Sequence, residues 1–357
     1  MPYSIENTDH KISLGPQAWS HLNDLLRQGQ WSSIFVLTDE ASLKFCYPIF
    51  EENITGINIK LFTIPQGESS KSIEWMQKLW QELSENQGDR KSLMINLGGG
   101  VVSDLGGFVA STFRRGIDYI NIPTTLLAMV DAAIGGKTGI DLGVLKNQIG
   151  VVAQPKGIFI CPEFLKTLPS RELTSGWMEM VKHGFIADKE YLDTCLVTPR
   201  IDNPELDKLI WKSVQIKNQV VAEDPHEHGR RKTLNFGHTL GHAIESYCLD
   251  NYPKEYIKHG EAVGVGMALA LYLSHITQGF PKKDVFDYRA KLKKILPDFH
   301  FDRQAQQKII SYLKHDKKNT HGRVNFVLLK DIGIYVVDCQ ITNEEIFEAF
   351  NFWQAAE

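Results

Sequence analysis

His238 and His242, in Asn235-Phe236-Gly237-His238-Thr239-Leu240-Gly241-His242, lie four residues apart and so share one face of a helix. His259, in Lys258-His259-Gly260-Glu261, opens the next helical run and brings a third imidazole. Glu179, in Trp177-Met178-Glu179-Met180-Val181-Lys182-His183, can add a carboxylate from a facing helix. Two imidazoles and a carboxylate leave coordination positions open, as a catalytic divalent metal requires. Spacing does not choose among His183, His238, His242 and His259. A buried histidine more often satisfies a core hydrogen bond, and Glu179 with His183 reads equally as an i,i+4 surface pair. A zincin is disfavoured, because Thr239-Leu240-Gly241 offers no glutamate base.

A second group of residues suits anions. Leu97-Gly98-Gly99-Gly100 follows a strand pattern and precedes the helical run Val101–Ser111, so backbone N–H groups at a helix start could meet a pyrophosphate. The spacing is not G-x-G-x-x-G, and a tight turn without ligand is about as good a reading. Asp39 and Glu40 close an earlier strand, where a carboxylate can accept from ribose hydroxyls or simply cap the next helix. Pro123-Thr124-Thr125 ends another strand, and Gly135-Gly136-Lys137-Thr138-Gly139 follows, with Lys146-Asn147 a few residues on. The glycines adjoin Lys137 directly, which excludes a P-loop. Two lysines and an asparagine in a glycine-rich loop still suit a phosphate monoester, against the reading of two solvated surface lysines.

The elements that must position these groups fall into two halves. Ser33–Leu37, Ile57–Ile64, Leu93–Leu97 and Tyr119–Ile122 read as strands, and Lys71 to Gln87 carries a helical stripe of Ile73, Met76, Leu79, Trp80 and Leu83. Alternating strand and helix predicts a parallel sheet with helices on its faces. After Leu168 the pattern turns helical: Ser170–Ile186, Pro204–Ala222, Phe236–Leu249, Gly260–Ile276, Lys282–Ile295 and Gln304–Lys314. Two strand-like runs, Val324–Leu329 and Ile334–Val337, precede a last helix from Asn343 to Trp353. The expectation is an α/β, Rossmann-like nucleotide-binding domain over 1–168, then a mainly α-helical metal- and substrate-binding domain over 169–357, with a ligand cleft where they join.

Composition sets the partners. Lys plus Arg number 39 against 43 for Asp plus Glu, a formal charge of −4, which disfavours nucleic acid or an anionic membrane. The five cysteines are odd in number, widely spaced and without a Cys-x-x-Cys pair, so they read as reduced, mostly buried thiols. The start lacks a signal-peptide pattern, and the longest apolar stretch, Ala262 to Leu273, is too short for a bilayer. A cytoplasmic protein is the expectation.

Taken in order, Pro65-Gln66-Gly67-Glu68-Ser69-Ser70-Lys71, Gly98–Asp104, Pro123–Ala128, Gly135–Gly139, Leu168-Pro169-Ser170-Arg171-Glu172, Leu234–His242, His259-Gly260-Glu261 and Asp316-Lys317-Lys318-Asn319 resemble the sugar-phosphate cyclase family, and within it the 3-dehydroquinate synthases. The similarity runs from about Asp39 to Gly333, and the ordered set is far more specific than any one motif. It implies a metal, zinc or cobalt, on Glu179, His238 and His259, with His242 turned toward the substrate phosphate. It implies NAD contacts from Asp39, Glu68, Lys71, Gly99, Gly100, Asp104, Thr124, Thr125, Thr167 and Glu172, with Asp131, Lys137 and Lys146 lining the cofactor and substrate site. Lys137, Asn147 and Lys317 match phosphate-binding positions, and Arg115 one that reaches from the partner of a homodimer. Lys217 and Arg231 match groups that hold a substrate carboxylate, Glu227 and Asn235 lie near its hydroxyls, and Lys182 joins the catalytic set.

The implied reaction turns 3-deoxy-D-arabino-heptulosonate 7-phosphate into 3-dehydroquinate and phosphate through transient oxidation, elimination, re-reduction and aldol closure, a step of the shikimate pathway. Such a multiply anionic substrate needs several converging cations, which the matched residues include. Departures from the family pattern are Asp224-Pro225-His226-Glu227, which keeps only the outer two carboxylates of an acidic stretch, Ser103 beside Asp104, and His183 on the face of Glu179. The nearest rivals are cyclases making 2-deoxy-scyllo-inosose or 2-epi-5-epi-valiolone, whose substrates lack the carboxylate, then a metal-dependent polyol dehydrogenase, and a catalytically inert NAD-binding regulator.

Overall fold

The computed structural model describes residues 3–6, 10–143, 145–252, 257–313 and 324–355. They divide into two compact units, Met1–Pro169 with Pro204–Val214, and Ser170–Asn203 with Gln215–Glu357. Among the described residues no helix is long and apolar enough to cross a membrane.

The first unit is built on β1 (Ser4–Glu6), β2 (Lys11–Leu14), α1 (Pro16–Gln28), β3 (Ile34–Asp39), α2 (Glu40–Phe45), α3 (Tyr47–Asn53), β4 (Ile59–Ile64), α4 (Ile73–Glu85), β5 (Leu93–Gly98), α5 (Gly100–Thr112), β6 (Asp118–Pro123), β7 (Lys137–Leu142), β8 (Leu145–Val152) and β9 (Gly157–Ile160). Seven of these strands form one sheet in the order β1-β2-β9-β6-β5-β3-β4, parallel except where β1 runs against β2. All six residues of β5 are buried, because a central parallel strand is covered on both faces. The α5 helix contributes Val102, Leu105, Phe108 and Val109 to a core shared with Phe35 and Leu37 of β3, Met94 of β5 and Leu79 and Leu83 of α4. The chain steps from β3 outward to β4 and then returns to β5 on the other side of β3. Strand order therefore reverses at the carboxyl ends of β3 and β5, where open α/β sheets bind ligands.

The sequence reading needs correction at two places. The stretch read as a glycine-rich loop around Lys137 and Lys146 forms the antiparallel β7–β8 hairpin, in which Gly139 pairs with Gly150. A Cβ on Gly139 would sit 2.5 Å from the Ile149 carbonyl oxygen, so glycine here permits close strand contact. The sheet also gains β1, β2 and β9, too short to stand out by alternation. Before β4, the short helices α2 and α3 follow β3.

The second unit contains α6 (Ser170–Ala187), α7 (Lys189–Cys195), the C-terminal part of α8 (Leu206–Glu223), α9 (His238–Asn251), α10 (His259–Gln278), α11 (Lys282–Ile295), α12 (Arg303–Tyr312), the hairpin of β10 (Phe326–Asp331) and β11 (Ile334–Cys339), and α13 (Asn343–Gln354). Its centre is α10, apolar all round, as a helix enclosed by others must be. It packs on α6, α9, α11 and α13. The expected helices all form, with ends within a few residues of their expected positions; Lys314 lies outside the described residues. The five cysteines are free thiols, four of them buried and Cys339 partly so.

Contact of α10 with α9 and with α6 depends on missing side chains. A Cβ on Gly266 would lie 2.0 Å from the Gly237 carbonyl oxygen, and one on Gly260 would lie 1.9 Å from the Ser175 carbonyl oxygen. Gly266→Ala should therefore force α9 and α10 apart and lower stability by about 3 kcal/mol, as overpacking does. Urea unfolding checks this as a lower midpoint at constant slope; an unchanged midpoint would refute the close approach.

Candidate active site

At the nucleotide-type end of the sheet, Gly99 caps α5 and Gly100 begins it, directly after β5. The Thr124 N–H donates to the Gly98 carbonyl at 3.0 Å, and a Cβ on Gly99 would be 3.1 Å from Thr125, so the Thr-Thr segment lies against the glycine turn. Asp131 falls in a single π-helical turn, Ala128–Ala132, the irregular backbone often found at functional positions. Asp39 takes its blander role here: its Oδ1 accepts from the Ser42 N–H and hydroxyl, both at 2.7 Å, and caps α2. Thr167 ends the 3-10 turn Pro162–Thr167 and is exposed, as is Arg115. Arg114 and Arg115 both hold positive φ, 53° and 71°, a conformation that costs energy for side-chain-bearing residues.

Lys71 is the hub of this unit. Only 4% exposed, its ammonium donates to Asp104 Oδ2 at 2.6 Å and to the side-chain oxygen of Asn147, with Glu68 at 3.9 Å. Burial alone would drive its pKa down, but the charges of Asp104 and Glu68 more than reverse that, so the group stays cationic. The Lys71 carbonyl also accepts from the Asp141 N–H, and Asp141 Oδ1 accepts from the Asn147 N–H at 2.7 Å. The β7–β8 hairpin, which carries Lys137, Lys146 and Asn147, is thus tied to α5 through one ammonium. Asn147 itself holds φ 54°.

In the helical unit, Glu179 has no exposure, and Lys182, at 1%, pairs with its Oε2. Burial of Glu179 and His183 on α6 overturns the surface-pair reading. Glu179 Oε1 lies 3.4 Å from His238 Nε2 and 3.6 Å from His259 Nε2. Metal bonds of about 2.0–2.1 Å at tetrahedral angles place neighbouring donors about 3.3–3.4 Å apart, so these are the edges expected around a zinc-sized ion. They are long for hydrogen bonds to a carboxylate. The outward nitrogens support the same picture: His238 Nδ1 lies 3.2 Å from the Phe236 carbonyl, an acceptor that fixes the tautomer with Nε2 available. The donor set fits a divalent metal. His242 lies close as well, since one nitrogen each of His238, His242 and His259 falls within 4.8 Å of the others. Burial lowers the His259 pKa, but Glu245 and Glu179 outweigh it and raise it to about 10; a bound cation would take the place of that proton.

Tight contacts set these side chains. His238 and His259 are the first residues of α9 and α10, so two positive helix ends meet beside the carboxylate. Gly237 turns into α9 with φ 77°. The Gly260 N–H donates to Ser175 Oγ at 2.9 Å, and Arg171 Nε donates to Glu261 Oε1 at 2.8 Å, fastening α10 to α6. Glu172, expected at the cofactor, forms an ion pair with Lys258 at 2.7 Å.

The residues expected at substrate oxygens cluster around the 224–235 segment. Asp224 accepts from the N–H groups of His228, Gly229 and Arg231, and although partial burial opposes its charge, these bonds hold its pKa below the usual range. Arg231, 2% exposed, donates to the Pro225 carbonyl at 2.7 Å, and Asn235 donates to Glu227 at 2.8 Å. The Pro225 and His226 departures therefore sit in a turn that Asp224 organises. Lys217 is buried on α8. Lys317 lies outside the described residues. Glu245 went unnoticed in the sequence, although it stands three residues after His242 and seven after His238, on the same helical stripe.

The family model described as 3-dehydroquinate synthase N-terminal matches residues 61–175, and that described as 3-dehydroquinate synthase C-terminal matches residues 176–319. A curated protein of Parabacteroides distasonis named 3-dehydroquinate synthase is 38% identical over 349 residues, 97% of this chain and 98% of its own. Among solved structures, a 2-deoxy-scyllo-inosose synthase complexed with carbaglucose-6-phosphate, NAD+ and Co2+ aligns with TM-score 0.83 at 22% identity, covering 98% of this chain and 99% of its own. A 2-epi-5-epi-valiolone synthase from Streptomyces hygroscopicus with NAD+ and Zn2+ bound aligns with TM-score 0.80 at 24% identity, covering 98% of both chains. At these identities the two structures establish the shared fold.

The Lys71 hub yields a test. Lys71→Met keeps the apolar stem but withdraws the ammonium from Asp104, which should lower stability by about 3 kcal/mol, as breaking a buried pair does. Denaturant titration reads this directly, and a variant as stable as wild type would show that the ammonium does not hold the hairpin.

Proposed function

The chain belongs to the 3-dehydroquinate synthase family, and from that premise we propose that it converts 3-deoxy-D-arabino-heptulosonate 7-phosphate to 3-dehydroquinate and phosphate, in the shikimate pathway. The observation that carries the reading is the junction of Glu179, His238 and His259 at metal-edge spacing, in a chain alike over nearly its full length to a named 3-dehydroquinate synthase. We assign NAD and one divalent ion, zinc or cobalt, as cofactors. When bound, NAD+ would supply reversible hydride transfer and the metal Lewis-acid polarisation of substrate oxygens.

The chain's own residues then divide the work. Glu179, His238 and His259 hold the ion, while Lys182 offsets the charge of Glu179 and keeps its second oxygen directed. To the substrate phosphate we assign His242, one turn beyond His238, and likewise Lys137, Asn147 and Lys317. Arg231 and Lys217 hold the substrate carboxylate, the Arg231 guanidinium being aimed by the Pro225 carbonyl. Asn235 and Glu227, already bonded to each other, meet the ring hydroxyls. The glycine turn with Thr124 and Thr125, together with Asp39, Glu68, Lys71, Asp104, Asp131, Lys146, Thr167 and Glu172, forms the cofactor side. Such a site works mainly by positioning and charge. We place the enzyme in the cytoplasm as a homodimer, in which Arg115 enters the partner's phosphate site. The five free thiols agree with a reducing compartment.

The direct test follows phosphate release from the heptulosonate with catalytic NAD+, with and without chelator, and identifies the product. Metal-dependent turnover to 3-dehydroquinate without net NADH is expected. Release only from a sugar phosphate lacking the carboxylate would replace this reading with that of another cyclase. Arg231→Ala should raise KM for the heptulosonate about 10- to 100-fold, the worth of a charge-assisted bond. An unchanged KM would remove Arg231 from the carboxylate site.

A further inference from the structure

Each imidazole in the donor set has a second nitrogen whose partner decides what the first can do. For His238 the partner is neutral, the Phe236 carbonyl. For His259 it is charged: Nδ1 lies 3.1 Å from Glu245 Oε2. Glu245 is 6% exposed, so its field reaches the ring with little screening by water. It lies on α9, seven residues after His238, whereas His259 begins α10. One helix thus presents a ligand and also grips the ligand of its neighbour.

We propose that Glu245 is a positioning residue for the metal: it fixes the His259 tautomer and makes that ring the stronger donor of the two imidazoles. The inference rests on the metal-site reading above. With a carboxylate at Nδ1, the metal-bound ring would carry its proton there and leave Nε2 for the ion, beside Glu179 Oε1 at 3.6 Å. The carboxylate accepts only, so the opposite tautomer has no partner at that position. Glu245 also adds a negative charge behind the donor set, favouring a divalent ion over none. A glutamine in its place has the same shape but can turn its NH2 toward Nδ1, which would put a proton on Nε2, where the ion should be.

The test compares wild type, Glu245→Gln and Glu245→Asp, each stripped of metal, by competition for Co2+ against a chromophoric chelator, by the visible absorption of the cobalt form and by thermal melting of the metal-free protein. Glu245→Gln should stay folded without metal, melting below wild type because the charge facing His259 is gone, and should bind Co2+ about 10- to 100-fold more weakly with an altered cobalt band. Glu245→Asp keeps the charge one methylene further back and should recover part of that loss. Should the glutamine variant fail to fold, the aspartate variant alone must show weakened Co2+ binding with its metal-free melting retained. Wild-type affinity and an unaltered band in the folded variants would overturn the positioning role while leaving the metal site standing. Failure of wild type itself to bind Co2+ would overturn both.

Discussion

Glu179 is a carboxylate with no exposure to water, and the helical unit is arranged around that fact. Withdrawing such a charge from solvent costs several kcal/mol even after the surroundings relax. Lys182 answers one oxygen from the next turn of α6. The other faces two imidazole nitrogens at distances suited to sharing a cation. A metal ion would complete the compensation, while the starts of α9 and α10 add a positive field that favours the carboxylate rather than the ion.

Holding three donors from three helices to this spacing requires backbones that approach more closely than side chains allow. Gly260 against Ser175 brings α10 to α6, and Gly266 against Gly237 brings α10 to α9. The bidentate Arg171–Glu261 pair and the Lys258–Glu172 pair lock the start of α10 from outside. In the α/β unit the analogous device is electrostatic. A single buried ammonium, Lys71, ties the β7–β8 hairpin to α5, so Lys137 and Asn147, two of the residues expected at phosphate, are carried on a tethered hairpin rather than a loose loop.

Much of this was legible in the sequence. The buried strands β3, β5 and β6 and the long helices of the second half announce themselves by apolar periodicity, which is what burial selects. The histidine spacing predicted a cluster, and the structure brings His238, His242 and His259 together with Glu179. The β7–β8 hairpin was not legible, because the glycines read as loop, when Gly139 and Gly150 are in fact needed for strands in close contact. Asp39 could cap a helix, bind a ribose or do both, and its bonds to Ser42 show the cap. Nor could sequence show that Lys71 is buried among acids, or that Glu245 backs His259, since both depend on partners distant in the chain.

The central claim is that the ion sits on Glu179, His238 and His259 rather than on the three clustered imidazoles. X-ray absorption of the zinc-loaded protein, compared with zinc-loaded His242→Ala, tests it most directly. The account predicts a first shell of two imidazoles with oxygen donors, the same in both proteins. A three-imidazole shell that loses one ring in the variant would contradict it.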